Sequence, residues 1–179
     1  MKDTNIQTIY QKTIAFAAIH HGQQKMPNGL PYIVHLSNVA MEVFMAHKQK
    51  PDFNLKLAIH LALLHDVLED TALSFKALKA DFGNVVAEGV LALTKDSALD
   101  KKDQMDDSLN RILYLGREVA IVKLCDRITN LQKPPIKWDN AKIKKYHLQA
   151  LKIAERLQGK NEYLDKRIQE KILSYNSYV

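Results

Sequence analysis

The chain has 179 residues and a mass of 20.4 kDa, which fits one domain spanning residues 1–179 with a sizeable core. Hydrophobic residues make up 46% and charged residues 26% of the chain, as in ordinary globular proteins. The single cysteine, Cys125, excludes an intramolecular disulfide and a cysteine-based zinc cluster. No apolar run approaches the length of a membrane span, and the N-terminal stretch M-K-D-T-N-I-Q-T lacks the apolar core of a signal peptide. A cytoplasmic enzyme or binding domain is therefore expected.

The charge balance points to an anionic partner. Basic residues outnumber acidic residues by 26 to 20, which gives a formal net charge of +6. Such a charge attracts polyanions over a long range. The partner could be a nucleic acid or a small phosphorylated metabolite, and the charge alone does not choose between them.

The low content of turn-forming residues, six Gly and five Pro, favours long helices over an all-β design. Apolar residues recur at three- and four-residue spacing, which is typical of amphipathic helices, and no strand pattern of useful length is present. The predicted helices span residues 5–21, 33–47, 54 into a motif at 61–71, 74–82, 84–93, 118–131, 140–157 and 162–175. The stretch 94–111 is dense in mixed charge and is predicted to be either a flexible loop or a solvent-facing helix. The pattern therefore predicts an all-α fold.

The segment 61–71, L-A-L-L-H-D-V-L-E-D-T, places four ionisable side chains beside an apolar run. In a helix, residues four apart share a face, so His65 is expected near Glu69, and Asp66 near Asp70. Burying such groups is costly unless they are paired or bind an ion. A divalent metal held by His65 and Asp66, with the two later acids handling protons, would explain the cluster. The alternative is a helix end with solvated acids and an ordinary, partly buried histidine.

Two further segments contain candidate ligands. His35 falls in the first turn of the second predicted helix. Asp126 falls in the middle of the predicted helix that is apolar on most of its circumference, so its carboxylate needs a partner. An intrahelical ion pair with Lys123 would supply one, and ligation of a metal would supply another. Asn130 lies one turn after Asp126 on the same face.

The arrangement His35, His65-Asp66 and Asp126 resembles the HD phosphohydrolase superfamily, an all-helical fold named for its His-Asp pair. Longer segments resemble the hydrolase domain of the RelA/SpoT alarmone family, namely H-x-x-Q at 21–24, G-L-P-Y-I-V-H at 29–35, L-L-H-D-V-L-E-D-T at 63–71 and V-K-L-C-D-R-I-T-N-L at 122–131. The chain is most similar to the single-domain members, the small alarmone hydrolases, whose tails carry a similar tryptophan and L-Q-G-x-N pattern, here Trp138 and residues 157–161. This resemblance covers nearly the whole chain and implies a compact multi-helix HD-domain bundle.

The resemblance implies a metal-dependent reaction. The residues it assigns to one divalent cation, usually manganese, are His35, His65, Asp66 and Asp126. Nitrogen and oxygen ligands without thiolate suit that ion, which lowers the pKa of bound water. Glu69 and Asp70 match the acidic pair that activates or orients the attacking water. The implied reaction removes pyrophosphate from the ribose 3′ position of guanosine tetra- or pentaphosphate and leaves GDP or GTP without a covalent intermediate.

The resemblance also implies substrate contacts. Asn130 matches an asparagine that contacts the nucleoside. The cations that could gather the phosphates are Lys25, Lys95, Lys101, Lys102, Lys123 and Arg127. Where the family usually has an Arg-Lys or Arg-Arg pair that sandwiches the purine, this chain has Lys25 and Met26, so an adenine alarmone is an alternative substrate to a guanine one. The family's His-Pro is His35-Leu36 here, which alters entry into the helix but not the ligand.

Three alternative functions remain open on sequence alone. Another HD phosphohydrolase, acting on a nucleoside monophosphate or a cyclic nucleotide, would share the four ligands but would not require Glu69-Asp70-Thr71 or the V-K-L-x-D-R-x-x-N-L segment. A metal-stabilised nucleotide sensor would bind without turnover and signal through residues 96–107. A nucleic-acid-binding module rests only on the net charge, since the sequence has no recognition motif. The chain could form a homo-oligomer, and no membrane partner is expected.

Overall fold

The computed structural model describes residues 5–179, so residues 1–4, the start of the predicted domain and of the N-terminal stretch, lie outside the described residues. The helices, in chain order, are α1 (Ile6–His21), α2 (Ile33–Gln49), α3 (Leu55–Leu64), α4 (Val67–Asp70), α5 (Phe75–Phe82), α6 (Asn84–Leu93), α7 (Gln104–Leu115), α8 (Arg117–Asn130), α9 (Asn140–Arg156) and α10 (Glu162–Tyr175), followed by a 3-10 turn at Asn176–Tyr178. Within residues 5–179, β-structure is limited to an isolated bridge between Lys25 and Pro31. The predicted all-α fold is confirmed.

Polar side chains at the N-terminal ends determine where several helices begin. Asn5 accepts a hydrogen bond from the backbone N–H of Gln7, and Ser74 accepts one from Ala77 at 3.2 Å. Each bond satisfies a backbone donor that the first helical turn leaves without a partner. At the other end of α1, Gly22 adopts φ 53°, a left-handed conformation that favours glycine and stops the helix. These local signals explain why α1 and α5 match their predicted spans within one residue.

Helix α8 lies at the centre of the fold. All its residues from Val119 to Thr129 are buried, and it packs against α2, α3 and α10. Burying each large aliphatic side chain contributes about 1.5–3 kcal/mol, so this packing holds the helix firmly. The prediction of a central helix here is confirmed. Asp126 is therefore carried by a helix that is buried along most of its length.

The motif at 61–71 does not form one helix, and this expectation was wrong. Helix α3 ends at Leu64, His65 and Asp66 form a turn, and α4 begins at Val67. Asp66 adopts φ −102° and ψ −1°, the sparsely populated bridge region between helix and strand. The ring of His65 hydrogen-bonds back to the carbonyl of Ala62 at 2.8 Å, and such side-chain bonds compete with continuation of a helix. His65 and Glu69 therefore do not share one helical face.

The charged stretch 94–111 contains both predicted alternatives, a loop to residue 103 and then helix α7. The helix is tied to the end of α6, since Ser108 donates to the carbonyl of Ala92 at 2.7 Å and Arg111 donates to that of Thr94 at 2.9 Å. The loop between α6 and α7 begins beside α4, where the acidic pair lies. Across residues 5–179, no helix is both long and apolar enough to cross a membrane.

Candidate metal centre

Three helical elements bring two histidines and an aspartate together. His35 comes from the first turn of α2, His65 directly follows α3, and Asp126 lies in α8. One ligand atom from each of these residues lies within 4.8 Å of the other two. All three side chains are buried, with exposed fractions of 3%, 3% and 9%. Residues about 30 to 90 positions apart in sequence thus form one group that can hold a metal ion.

The donor atoms of this group face each other. The Nε2 atoms of His35 and His65 are 3.3 Å apart, and Oδ1 of Asp126 lies 3.4 Å and 3.7 Å from them. The Nδ1–H of His65 donates to the Ala62 carbonyl, so its Nε2 is the ring nitrogen that faces the cluster. Two imidazole nitrogens and a carboxylate oxygen that converge in a buried space suit a divalent cation, because the cation would relieve the repulsion between their lone pairs.

Asp66 lies at the edge of this group. Its Oδ2 is 2.9 Å from Nε2 of His65 and 3.7 Å from Nε2 of His35. The same oxygen accepts a hydrogen bond from the hydroxyl of Tyr32. Asp66 is not among the three residues whose ligand atoms all lie within 4.8 Å of one another, so its role as a fourth ligand stays a prediction. The contact with Tyr32 was not anticipated from the sequence.

Asp126 forms the ion pair with Lys123 that the sequence suggested, and its other carboxylate oxygen faces the two histidines. Its Oδ2 forms an ion pair with Nζ of Lys123 at 3.4 Å, while its Oδ1 faces the histidines and accepts a hydrogen bond from Asn130 at 2.6 Å. Burial alone would raise the pKa of Asp126, but Lys123 and the two histidines outweigh it and hold the pKa well below its usual range. The carboxylate therefore stays ionised and able to bind a cation. Asn130, predicted to contact the nucleoside, orients this carboxylate in the structure.

Two exposed carboxylates follow the cluster on α4. Glu69 accepts hydrogen bonds from Lys95, with its Oε1 2.6 Å from Nζ and its Oε2 3.1 Å from the backbone nitrogen. Asp70 accepts a hydrogen bond from Nε2 of Gln24 at 2.9 Å. Asp66 directly precedes α4, so Glu69 and Asp70 follow it in sequence by three and four residues. The role of these two acids in handling protons stays a prediction.

The loop between α1 and α2 carries the predicted purine contacts. It folds back on itself, since the backbone nitrogen of Met26 donates to the carbonyl of Leu30 at 2.8 Å and Lys25 forms the isolated bridge to Pro31. Lys25 is exposed and Met26 is half-buried. Within residues 5–179, neither residue forms a hydrogen bond or an ion pair with His35, His65 or Asp126. Two other residues of the same loop do contact the acidic residues: Gln24 donates a hydrogen bond to Asp70, and Tyr32 donates one to Asp66.

Arg127, predicted to bind substrate, is buried with an exposed fraction of 5%. Its guanidinium carbon lies 4.1 Å from the centre of the Tyr146 ring, a cation–π contact. Its Nε and Nη1 atoms have no hydrogen-bond partner among the described residues. A buried cation with free donors can donate hydrogen bonds to an anionic oxygen. Tyr146 was not identified from the sequence, because its spacing in the amphipathic helix α9 resembles that of a core residue.

The fold and this cluster define a class of protein. An all-helical domain that gathers a His-Asp pair, a second histidine and a distant aspartate around one buried point is the arrangement of HD-domain proteins. Residues 13–162 match the HD domain family. The residues that form the cluster all fall within that range.

Comparison with known proteins specifies the family further. The guanosine-3′,5′-bis(diphosphate) 3′-pyrophosphohydrolase MESH1 of Danio rerio is 31% identical, covering 90% of this chain and 91% of the relative. The Homo sapiens protein of the same name is 30% identical and covers 86% of this chain and 87% of the relative. A solved structure of a metazoan ortholog of SpoT that hydrolyses ppGpp matches with a TM-score of 0.80 at 26% identity, over 99% of this chain and 100% of that chain. The chain therefore belongs to the HD domain family and, within it, to the MESH1-type pyrophosphohydrolases.

Proposed function

We propose that this protein hydrolyses the 3′-pyrophosphate of guanosine or adenosine tetra- and pentaphosphate alarmones in a divalent-metal-dependent reaction. The products would be pyrophosphate and the nucleoside 5′-diphosphate or 5′-triphosphate. The relatives named above are called guanosine-3′,5′-bis(diphosphate) 3′-pyrophosphohydrolases, and they match nearly the full length of the chain. The observation that carries the proposal is the buried group of His35, His65 and Asp126, with Glu69 and Asp70 on the adjoining helix.

The proposed metal site consists of His35, His65, Asp66 and Asp126, with manganese as the expected ion. A divalent cation held there would supply positive charge for phosphate oxygens and lower the pKa of water. Asn130 would keep Asp126 oriented toward the histidines through its hydrogen bond of 2.6 Å. Tyr32 would do the same for Asp66 through its hydroxyl.

The two acids of α4 would manage the proton and the orientation of the attacking water. Glu69 would accept the proton of water as the phosphorus–oxygen bond to the ribose 3′ oxygen breaks, and Asp70 would orient that water. A well-placed acid or base of this kind contributes about 10²- to 10⁴-fold to rate. The leaving 3′ oxygen would recover a proton from the same acidic pair or from solvent.

The remaining predicted residues would hold the substrate. Arg127 would bind phosphate or nucleoside oxygens with the donors that no described residue satisfies. Lys123, ion-paired with Asp126 and 9% exposed, would add positive charge close to the reacting phosphate. Lys25 and Met26, on the loop that delivers Gln24 and Tyr32, would contact the purine.

A small nucleotide therefore accounts for the anionic partner that the net charge of +6 indicates. We propose no membrane or nucleic-acid partner, and we expect the enzyme to act in the cytoplasm. A homo-oligomer would be compatible with the proposed site, because every residue assigned to it comes from one chain.

The experiment is a product assay on the manganese-loaded protein. The panel contains guanosine and adenosine 3′-pyrophosphates, nucleoside monophosphates and cyclic nucleotides, with a chelator control and separation by ion-exchange chromatography. We expect release of pyrophosphate from the 3′ compounds and its loss on chelation. Turnover of the other nucleotides alone would refute the alarmone assignment, and tight binding without turnover would indicate a sensor.

A further inference from the structure

We propose that Gln24, itself held by His21, is a positioning residue for Asp70. This inference rests on the proposed function, in which Asp70 orients the attacking water. Gln24 would touch neither the substrate nor the metal. It would act by holding the carboxylate of Asp70 in the one orientation that suits the reaction.

The contacts form a chain of three side chains with a fixed direction. Nε2 of Gln24 donates to Oδ2 of Asp70 at 2.9 Å, and Oε1 of Gln24 lies 2.8 Å from Nδ1 of His21. An ionised carboxylate only accepts hydrogen bonds, so the NH₂ group of Gln24 must face Asp70. Its carbonyl oxygen then faces His21 and must accept, which places a proton on Nδ1 of His21. Each residue of the chain thus fixes the orientation of the next.

The backbone of Gln24 is anchored on both sides. Its N–H donates to the carbonyl of His21 at 3.0 Å, and its carbonyl accepts from the N–H of Tyr32 at 2.9 Å. The amide group is therefore presented from a fixed backbone although it belongs to a loop. Tyr32 also donates to Asp66, so one short loop contacts both Asp66 and Asp70.

The environment of His21 supports the same role. The side chain is buried with an exposed fraction of 6% and stacks on the ring of Tyr32 at a centroid distance of 4.9 Å. Its Nε2 has no hydrogen-bond partner among the described residues. A buried polar atom without a partner destabilises the fold, and an apolar side chain would avoid that penalty. The contact of Nδ1 with Gln24 gives a reason to keep a histidine at this position.

Asp70 needs such support, because it is exposed and ends the four-residue helix α4. An exposed carboxylate samples several rotamers, whereas a group that handles water must stay within hydrogen-bond reach of it. Misplacement of a catalytic group by about 1 Å can cost about 10²-fold in rate. A hydrogen bond from an anchored amide is sufficient to select one rotamer.

The test is a double-mutant cycle on the intact manganese-loaded protein. Gln24→Leu keeps the size of the side chain but removes both hydrogen bonds, and Gln23→Leu makes the same change at the exposed neighbouring position. We expect Gln24→Leu to lower kcat about 10- to 100-fold with KM changed less than about twofold, and Gln23→Leu to leave both unchanged. In an Asp70→Ala background, Gln24→Leu should have no further effect, because no carboxylate remains for Gln24 to hold.

A second pair of variants tests His21. Asn at position 21 can still place an N–H near Oε1 of Gln24, whereas Leu cannot, so His21→Asn should retain most of the activity that His21→Leu loses. Melting temperatures of all variants identify any that fails to fold. If a His21 variant fails to fold, the Gln24→Leu and Gln23→Leu pair decides the question, and if Gln24→Leu fails, the His21 pair decides it.

The outcomes separate this inference from the proposed function. A wild-type protein that releases no pyrophosphate from any 3′ compound would overturn both. A wild-type protein that is active while Gln24→Leu is equally active would overturn the positioning role alone. An equal loss from Gln24→Leu in the wild-type and Asp70→Ala backgrounds would also overturn it, since a purely structural role affects both alike.

Discussion

Lys95 holds Glu69 through two hydrogen bonds, one from its side chain at 2.6 Å and one from its backbone nitrogen at 3.1 Å. The two residues are 26 positions apart, and Lys95 opens the loop between α6 and α7. Burial would lower the pKa of Lys95, but the hydrogen bond and the charge of Glu69 outweigh burial and raise it. Lys95 therefore stays charged, and its partner in the structure is the carboxylate of Glu69; contact with the substrate phosphates stays a prediction.

We predict that Lys95→Gln lowers kcat about tenfold by releasing Glu69 from its fixed orientation, with little change in KM. Steady-state kinetics on the 3′-pyrophosphate substrate measure both constants. Lys76→Gln removes the same charge from an exposed position on α5 and is the matched control. A large rise in KM with unchanged kcat would instead show that Lys95 binds the phosphates.

We predict that Glu69→Gln spares metal binding but slows hydrolysis by about 10²- to 10⁴-fold. The amide keeps the size of the side chain but cannot accept a proton as a base. Metal content by atomic spectroscopy and turnover at saturating substrate give the two readouts. Turnover equal to that of the wild-type protein would refute the role of Glu69.

We predict that Asp126→Asn loses the metal. The amide lacks the negative charge that balances the cation. Removing a residue that only hydrogen-bonds to a metal ligand typically costs about 10- to 100-fold in metal affinity, so loss of the ligand's charge should cost at least as much. A direct titration of the protein with Mn²⁺ measures the change, with Asp81→Asn, an exposed position on α5, as the control. Unchanged metal affinity in Asp126→Asn would remove this residue from the site.

The sequence predicted those features that depend on local chemistry. Periodic apolar residues located α1, α6, α8 and α10, and Asn5 and Ser74 marked helix starts because a cap needs only a few neighbouring residues. The family motifs assigned His35, His65 and Asp126 to the same metal ion, and the structure brings these three side chains together. Such predictions succeed because the motif carries information about packing that no single segment contains.

Contacts between distant segments were not predictable in the same way. The break after Leu64 depends on the bond from His65 to Ala62 and on partners for Asp66 that come from other helices. The cation–π contact of Arg127 with Tyr146 joins α8 to α9 and is set by the crossing of the two helices. Helical spacing states which residues share a face but not which residue lies opposite.

We predict that Met26→Arg shifts preference toward guanine. A guanidinium can stack on a purine and bind guanine oxygen and nitrogen together, a pair worth about 1–3 kcal/mol of discrimination. The ratio of kcat/KM for guanosine over adenosine 3′-pyrophosphates should therefore rise about fivefold or more. Met26→Leu, which adds no charge, is the comparison. An unchanged ratio in Met26→Arg would show that this position does not contact the base.

The last prediction concerns stability. His60 on α3 places Nδ1 3.0 Å from Oγ1 of Thr13 on α1, and its ring meets the edge of Phe82 at a centroid distance of 5.5 Å. Burial lowers its pKa in the folded protein, whereas in the unfolded chain the histidine titrates near its ordinary pKa of about 6.5. The unfolded chain therefore binds the proton more readily. The stability that neutral His60 contributes is present above about pH 6.5 and is lost as the pH falls toward the folded pKa.

We accordingly predict that His60→Gln reduces the acid sensitivity of the fold, because glutamine can still bond Thr13 but does not titrate. Melting temperatures measured with chelator present, which removes any contribution from metal release, should fall less between about pH 7.5 and pH 5 in His60→Gln than in the wild-type protein. At about pH 7.5 the variant should be equal or less stable, since the packing of the ring on Phe82 is lost. An identical fall in both proteins would exclude His60 as a source of the acid sensitivity.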